Sequence, residues 1–68
     1  MKFVNIQNIR VNMDNVLYYE TSDISKPNSG IWYKIRIYLQ TKEYPLEFNF
    51  ENKQVRDAYM TDLDKHMN

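Results

Sequence analysis

With 68 residues, nine basic side chains against nine acidic ones, a single histidine and no cysteine, this 8.3 kDa chain excludes a disulfide framework and a thiolate metal site, and is read as one domain over residues 1–68. A domain this small buries only about 60% of the surface that its unfolded chain exposes, so its core is thin and oligomerisation is the support left to it. Its longest apolar run, Val16 to Tyr19, falls far short of the roughly 20 residues that span a bilayer, and no cationic segment leads into an apolar one at the N-terminus, which predicts a cytoplasmic protein with no membrane partner.

The first apolar residues change parity: Val4 and Ile6 are even, Ile9 and Val11 odd. Keeping all four on one face of an extended strand requires an additional residue near Gln7 and Asn8, a β-bulge, or else a break between two short strands. Asn12, Met13, Asp14 and Asn15 read as a turn. Pairing Val11 with Val16 across it sets Ile9 opposite Tyr18 and leaves Leu17 and Tyr19 on the other face. Thr21 to Gly30 has the composition of a loop, and its Gly30, the only glycine, stands where a positive φ is useful.

From Ile31 to Leu39 the alternation is strict, with Ile31, Tyr33, Ile35, Ile37 and Leu39 on one side and Trp32, Lys34, Arg36 and Tyr38 on the other. Tyr44, Leu46, Phe48 and Phe50 alternate likewise, so a hairpin closing over Gln40 to Glu43 sets Leu39 opposite Tyr44, Ile37 opposite Leu46, Ile35 opposite Phe48 and Tyr33 opposite Phe50. The same register puts Arg36 across from Glu47, Lys34 from Asn49, Tyr38 from Pro45 and Trp32 from Glu51. Pro45 has no ladder donor and marks the second strand as an edge. Asn52 then caps a helix predicted over Lys53 to Met67, with Val55, Ala58, Tyr59, Leu63 and Met67 as its apolar stripe and Arg56 on the solvated side.

Chemistry is sparse. His66 is the sole histidine and lies at a helix end, so no nucleophile–base–orienter constellation can be assembled. Asp62 and His66 offer at most two metal ligands where zinc needs three or four, and the carboxylates of Asp57, Glu47 and Glu51 lie on exposed faces where nothing raises a pKa. The reading is therefore no enzyme, no metal and no cofactor. A better constellation is the strand face of Trp32, Lys34, Arg36 and Tyr38, with Leu17 and Tyr19 placed beside it. Rings interleaved with cations on a sheet suit single-stranded nucleic acid, yet Trp, Tyr and Arg are also the residues of protein-interface hot spots. Glu43, Glu47 and Glu51 on the neighbouring strand cancel the positive field that phosphate binding relies on. The plainest alternative is the ordinary polar side of an amphipathic strand.

The short, cysteine-free, Asn-, Tyr- and Met-rich chain, strands first and one helix last, resembles in style the small proteins of bacterial phages and mobile elements, among them anti-CRISPR and other anti-defence proteins. That resemblance implies a non-catalytic inhibitor that occupies the surface of a host protein, and it brings no residue role with it. The expected fold is α+β: a mostly antiparallel sheet of three or four strands with the C-terminal helix packed on one face through Val55, Tyr59 and Leu63. The expected assembly is a homodimer, the expected partner is a host protein, and the alternative is a single-stranded nucleic-acid binder.

Overall fold

In the structure, a computed structural model that describes residues 2–67, the N-terminal apolar residues pair with one another rather than with the strand that follows. β1 (Phe3–Ile6) and β2 (Ile9–Asn12) form an antiparallel ribbon with Val4 opposite Val11 and Ile6 opposite Ile9. Gln7 and Asn8 make the turn with φ of 50° and 67°, the left-handed pair that a two-residue hairpin loop demands. Of the two readings the break between two short strands holds and the bulge does not: the break is a chain reversal, and in a hairpin the opposite parities of Val4 and Val11 are what puts them face to face. Asn12 to Asn15 does not close a second hairpin, and Val11 does not pair with Val16 nor Ile9 with Tyr18. Met13–Asn15 is a single 3-10 turn. The Asn12 side chain accepts from the Asp14 amide at 3.0 Å and the Met13 amide donates to the Lys2 carbonyl at 2.8 Å, which redirects the chain into a separate sheet.

That sheet has three antiparallel strands in the order β3 (Val16–Ser25), β4 (Ile31–Leu39), β5 (Leu46–Phe50). β3 runs far into the segment expected as a loop, because each residue from Tyr18 to Ser25 has a partner across the ladder, ending at Ser25 opposite Ile31. Its polar composition reflects an exposed edge and one exposed face. The true loop is Lys26 to Gly30, closed by the Lys26 amide on the Gly30 carbonyl at 3.1 Å, with Gly30 at φ +89°. Between β4 and β5 the predicted register holds from Tyr33 opposite Phe50 to Ile37 opposite Leu46. The predicted pairs Tyr38–Pro45, Leu39–Tyr44 and Trp32–Glu51 are not part of the ladder: Tyr44 is 78% exposed, since Pro45 cannot donate to the ladder and frees the chain before it, and the strand ends at Phe50 before the helix cap.

Helix α1 (Lys53–Met67) has the expected bounds. The Asn52 side chain accepts from the amides of Gln54 at 2.8 Å and Val55 at 3.2 Å, satisfying two donors that the first turn leaves open. Its buried stripe is turned from the expected one: Leu63 is fully buried, Tyr59 and Met60 pack against the core, and Arg56 is buried, while Val55, Ala58 and Met67 are exposed. Arg56 is tied to Asp57 at 2.8 Å and Asp23 at 3.0 Å and lies 5.5 Å from the Tyr33 ring centre. Burial works against its charge, but these two hydrogen bonds and charges outweigh it and raise its pKa. A paired arginine with a long apolar stem can thus take a core position that hydropathy assigns to valine. The helix, the β1–β2 ribbon and the 3-10 turn together cover one face of the three-stranded sheet, their Val4, Ile6, Val11, Met13 and Leu63 meeting Ile35, Ile37, Phe48 and Phe50.

Candidate interaction surface

Among the described residues no element is layered on the opposite sheet face. Its central row is Trp32, Lys34, Arg36 and Tyr38, the even residues of β4, all half-buried. A register shift between Val16 and Tyr18 reverses the parity of β3, so Tyr18 faces Tyr38, Glu20 faces Arg36, Ser22 faces Lys34 and Ile24 faces Trp32. Glu47 and Asn49 complete it from β5, opposite Arg36 and Lys34. Of the residues predicted for this surface, Trp32, Lys34, Arg36 and Tyr38 do come together. Tyr19 does not: it pairs with Ile37 on the covered side, where its hydroxyl donates to Asp64 of the helix. Leu17 sits in the irregularity, 54% exposed and outside the ladder. A single additional residue exchanges the two sides of everything beyond it.

The face is held by side chains bonded to each other. Tyr18 and Tyr38 stack with centroids 4.3 Å apart and planes inclined by 17°. The Tyr38 hydroxyl donates to Glu20 at 2.9 Å, and this bond, with desolvation and the charge of Glu20, raises its pKa. Arg36 donates through Nε to Glu47 at 2.9 Å and stands 3.8 Å from Glu20, while Lys34 lies 3.6 Å from the other Glu47 oxygen. The hydrogen bond from Arg36, followed by the charge of Lys34, lowers the Glu47 pKa, and the reciprocal bond raises that of Arg36. Both groups stay ionised and the local charge is cancelled. At the far end Lys26 places its ammonium 4.2 Å from the centre of the Trp32 ring and 3.3 Å from Glu51.

No protein-family model, curated protein or solved structure matches this chain.

Elsewhere the side chains with chemical potential are otherwise engaged. His66 directs Nδ1 to the Asp62 carbonyl at 2.8 Å rather than to its carboxylate, and the Thr61 hydroxyl bonds to the Asp57 carbonyl at 3.1 Å. Among the described residues no three acidic or histidine side chains are placed to hold a metal ion, and no helix is long and apolar enough to cross a membrane. A cavity of about 230 Å³ beside β2 is lined by Ile9, Val11, Leu39 and Leu46 with Arg10 and Lys42 at its polar side, and by no carboxylate, histidine or cysteine. The residues that sequence reasoning missed on the open face are Tyr18, Glu20, Ile24 and Lys26. A signal existed for them. A ten-residue loop is long for so small a body, and taking only Lys26 to Gly30 as the turn pairs Ile24 with Trp32 and Tyr18 with Tyr38.

Proposed function

We propose that this chain is a non-catalytic protein-binding module that docks a partner on the open sheet face, and that it acts by occupying the partner's surface. The observation carrying this reading is the stacked Tyr18–Tyr38 pair, set in a field of side chains already bonded to one another. Rings with few rotatable bonds, fixed before the partner arrives, lose little entropy on binding, and the satisfied charges around them form a rim that excludes water without demanding a counter-charge. The resemblance in style to phage and mobile-element proteins suggests a host protein as that partner. The reading includes self-association as a homodimer, which the thin single core favours.

Single-stranded nucleic acid suits the same face less well. Lys34 and Arg36 are each held by a carboxylate, so little positive field remains for phosphates, and Lys26 already occupies space over the Trp32 ring where a base would stack.

The test is affinity capture from bacterial lysate with the wild type, Trp32→Ala, Tyr18→Ala and Lys34→Ala, each with and without nuclease. A protein partner retained after nuclease, weakened by about 2 kcal/mol or more when Trp32 or Tyr18 is truncated and little changed by Lys34→Ala, supports docking on the rings. Capture abolished by nuclease, with a salt dependence that flattens in Lys34→Ala, overturns it in favour of nucleic acid.

A further inference from the structure

We propose that a second copy of this chain adds to the open edge of β3, the two β3 strands pairing antiparallel about a two-fold axis at Thr21 so that three strands from each copy make one continuous sheet. This deepens the homodimer reading by naming the surface and its register.

The two sheet edges differ. β5 is five residues long, follows Pro45, and has its Asn49 carbonyl taken by the Gln7 side-chain amide at 2.7 Å. β3 is ten residues long and, among the described residues, pairs only with β4. Among the described residues the Val16 amide bonds to the Met13 carbonyl of the preceding turn, and from Leu17 to Ser25 no backbone group takes part in a hydrogen bond outside that ladder. Natural edges are protected by lysine, proline, inward-pointing charge or a covering element, and Val16 to Ser25 contains no lysine, arginine, proline or glycine. Its two charges are drawn back into its own subunit, Glu20 to Arg36 and Asp23 to Arg56. Only the irregularity at Leu17 limits the edge, and it leaves Tyr18 to Ser25 regular.

Charge and apolar pattern select the register. In a continuous sheet, neighbours across the junction share a face, so the two-fold axis must pass through a residue. An axis at Glu20 or Asp23 sets like charges opposite each other, which is destabilising. At Tyr19 the irregular Leu17 enters the junction and Tyr18 meets a carboxylate. At Ser22 the carboxylate of Glu20 faces the partner's Ile24 and Tyr18 is left beyond the paired segment. At Thr21 no like charges meet and no apolar side chain faces Glu20: Tyr18 faces the partner's Ile24, Glu20 faces the partner's Ser22, Thr21 faces the partner's Thr21, and the one carboxylate opposite a ring, the partner's Asp23 facing Tyr19, is already paired with Arg56 of its own subunit. The two Glu20 carboxylates then stand on a diagonal, each already neutralised by Arg36. Tyr18 and Ile24 are 53% and 39% exposed, and this register covers both. It also extends the open face into an unbroken row, Trp32 and Ile24 continuing into the partner's Tyr18 and the partner's Tyr38.

The chain has no cysteine, which makes a sharp experiment available. Sedimentation of the wild type should give twice the 8.3 kDa chain mass at the upper end of a micromolar-to-millimolar series. Thr21→Lys, which sets two ammonium groups opposite at the axis, should raise the dissociation constant by about tenfold or more, whereas Thr21→Val should leave it unchanged. Independently, Thr21→Cys should form a disulfide-linked dimer under mild oxidation much faster than Tyr44→Cys, a comparison that does not depend on a destabilised variant. A monomer mass over the whole series, a dimer indifferent to Thr21→Lys, or equal cross-linking at Thr21 and Tyr44 each overturns the edge. A dimer indifferent to Thr21→Lys leaves self-association standing through another surface. Capture of a protein partner that fails in Trp32→Ala while the chain stays monomeric leaves the docking reading intact and removes this one.

Discussion

The two faces of the three-stranded sheet are built from the same strands and stabilised in different ways. On the covered face Ile35, Ile37 and Phe48 are excluded from water by the helix and the β1–β2 ribbon, at 0–1% exposure, and each such side chain contributes roughly 1.5–3 kcal/mol of transfer free energy. On the open face Trp32, Lys34, Arg36 and Tyr38 are half-buried although no element among the described residues lies over them. Neighbouring side chains bury them instead: a ring against a ring, a guanidinium between two carboxylates, an ammonium over an indole. The contrast teaches that half-burial on a face without a second layer measures preorganisation rather than core formation. Such a surface loses little on meeting a partner, since its rotamers are already restricted.

The largest expected effect sharpens this contrast. Phe48→Ala should cost about 3–5 kcal/mol through lost transfer energy and an unfilled cavity, whereas Tyr18→Ala should cost about 1 kcal/mol, the value of an exposed aromatic pair. Urea unfolding followed by circular dichroism would measure both, and equal losses would mean that the open face belongs to the core. Next comes the charge buried at the margin of the covered face. Removing both Asp23 and Asp57 as alanines should cost about 3 kcal/mol, because it leaves the Arg56 cation buried without a carboxylate partner, while Arg56→Met should change stability by no more than about 1 kcal/mol. Asp23 and Asp57, about half exposed, are then rehydrated. A greater loss in Arg56→Met than in the double carboxylate variant would contradict this assignment.

The smallest effect is confined to alkaline pH. Partial burial, the hydrogen bond to Asp64 and the charge of Asp64 raise the Tyr19 pKa from 10.0 to about 12. The folded chain therefore holds this proton more tightly than the unfolded one, so the contribution is complete below about pH 10 and is lost as pH rises from 10 towards 12. Stability curves of the wild type and Tyr19→Phe should run parallel at neutral pH and converge over that window. Parallel curves throughout would show that Tyr19 does not couple β3 to the helix in the way its hydroxyl contact implies.

Much of this architecture was legible in local pattern. The strict alternation from Ile31 to Leu39 and from Tyr44 to Phe50 specified two strands and one register, because with a period of two only one pairing places every apolar side chain together; the ladder keeps that register from Tyr33–Phe50 to Ile37–Leu46 and leaves Tyr44 out. Asn52 marked the start of the helix, Gly30 the end of a turn, and Trp32, Lys34, Arg36 and Tyr38 a common face. These features depend on residues close in sequence. β3 was harder to read, since its strand character comes from a neighbour rather than from its own hydropathy, and one irregular residue at Leu17 decided that Tyr18 joins the open face and Tyr19 the covered one. The helix stripe was equally a tertiary outcome: Arg56 is buried because Asp23, thirty-three positions away, meets its charge, and Val55 is left exposed. Periodicity reports which residues share a side, while long-range pairing determines which side is covered and which charges can be buried there.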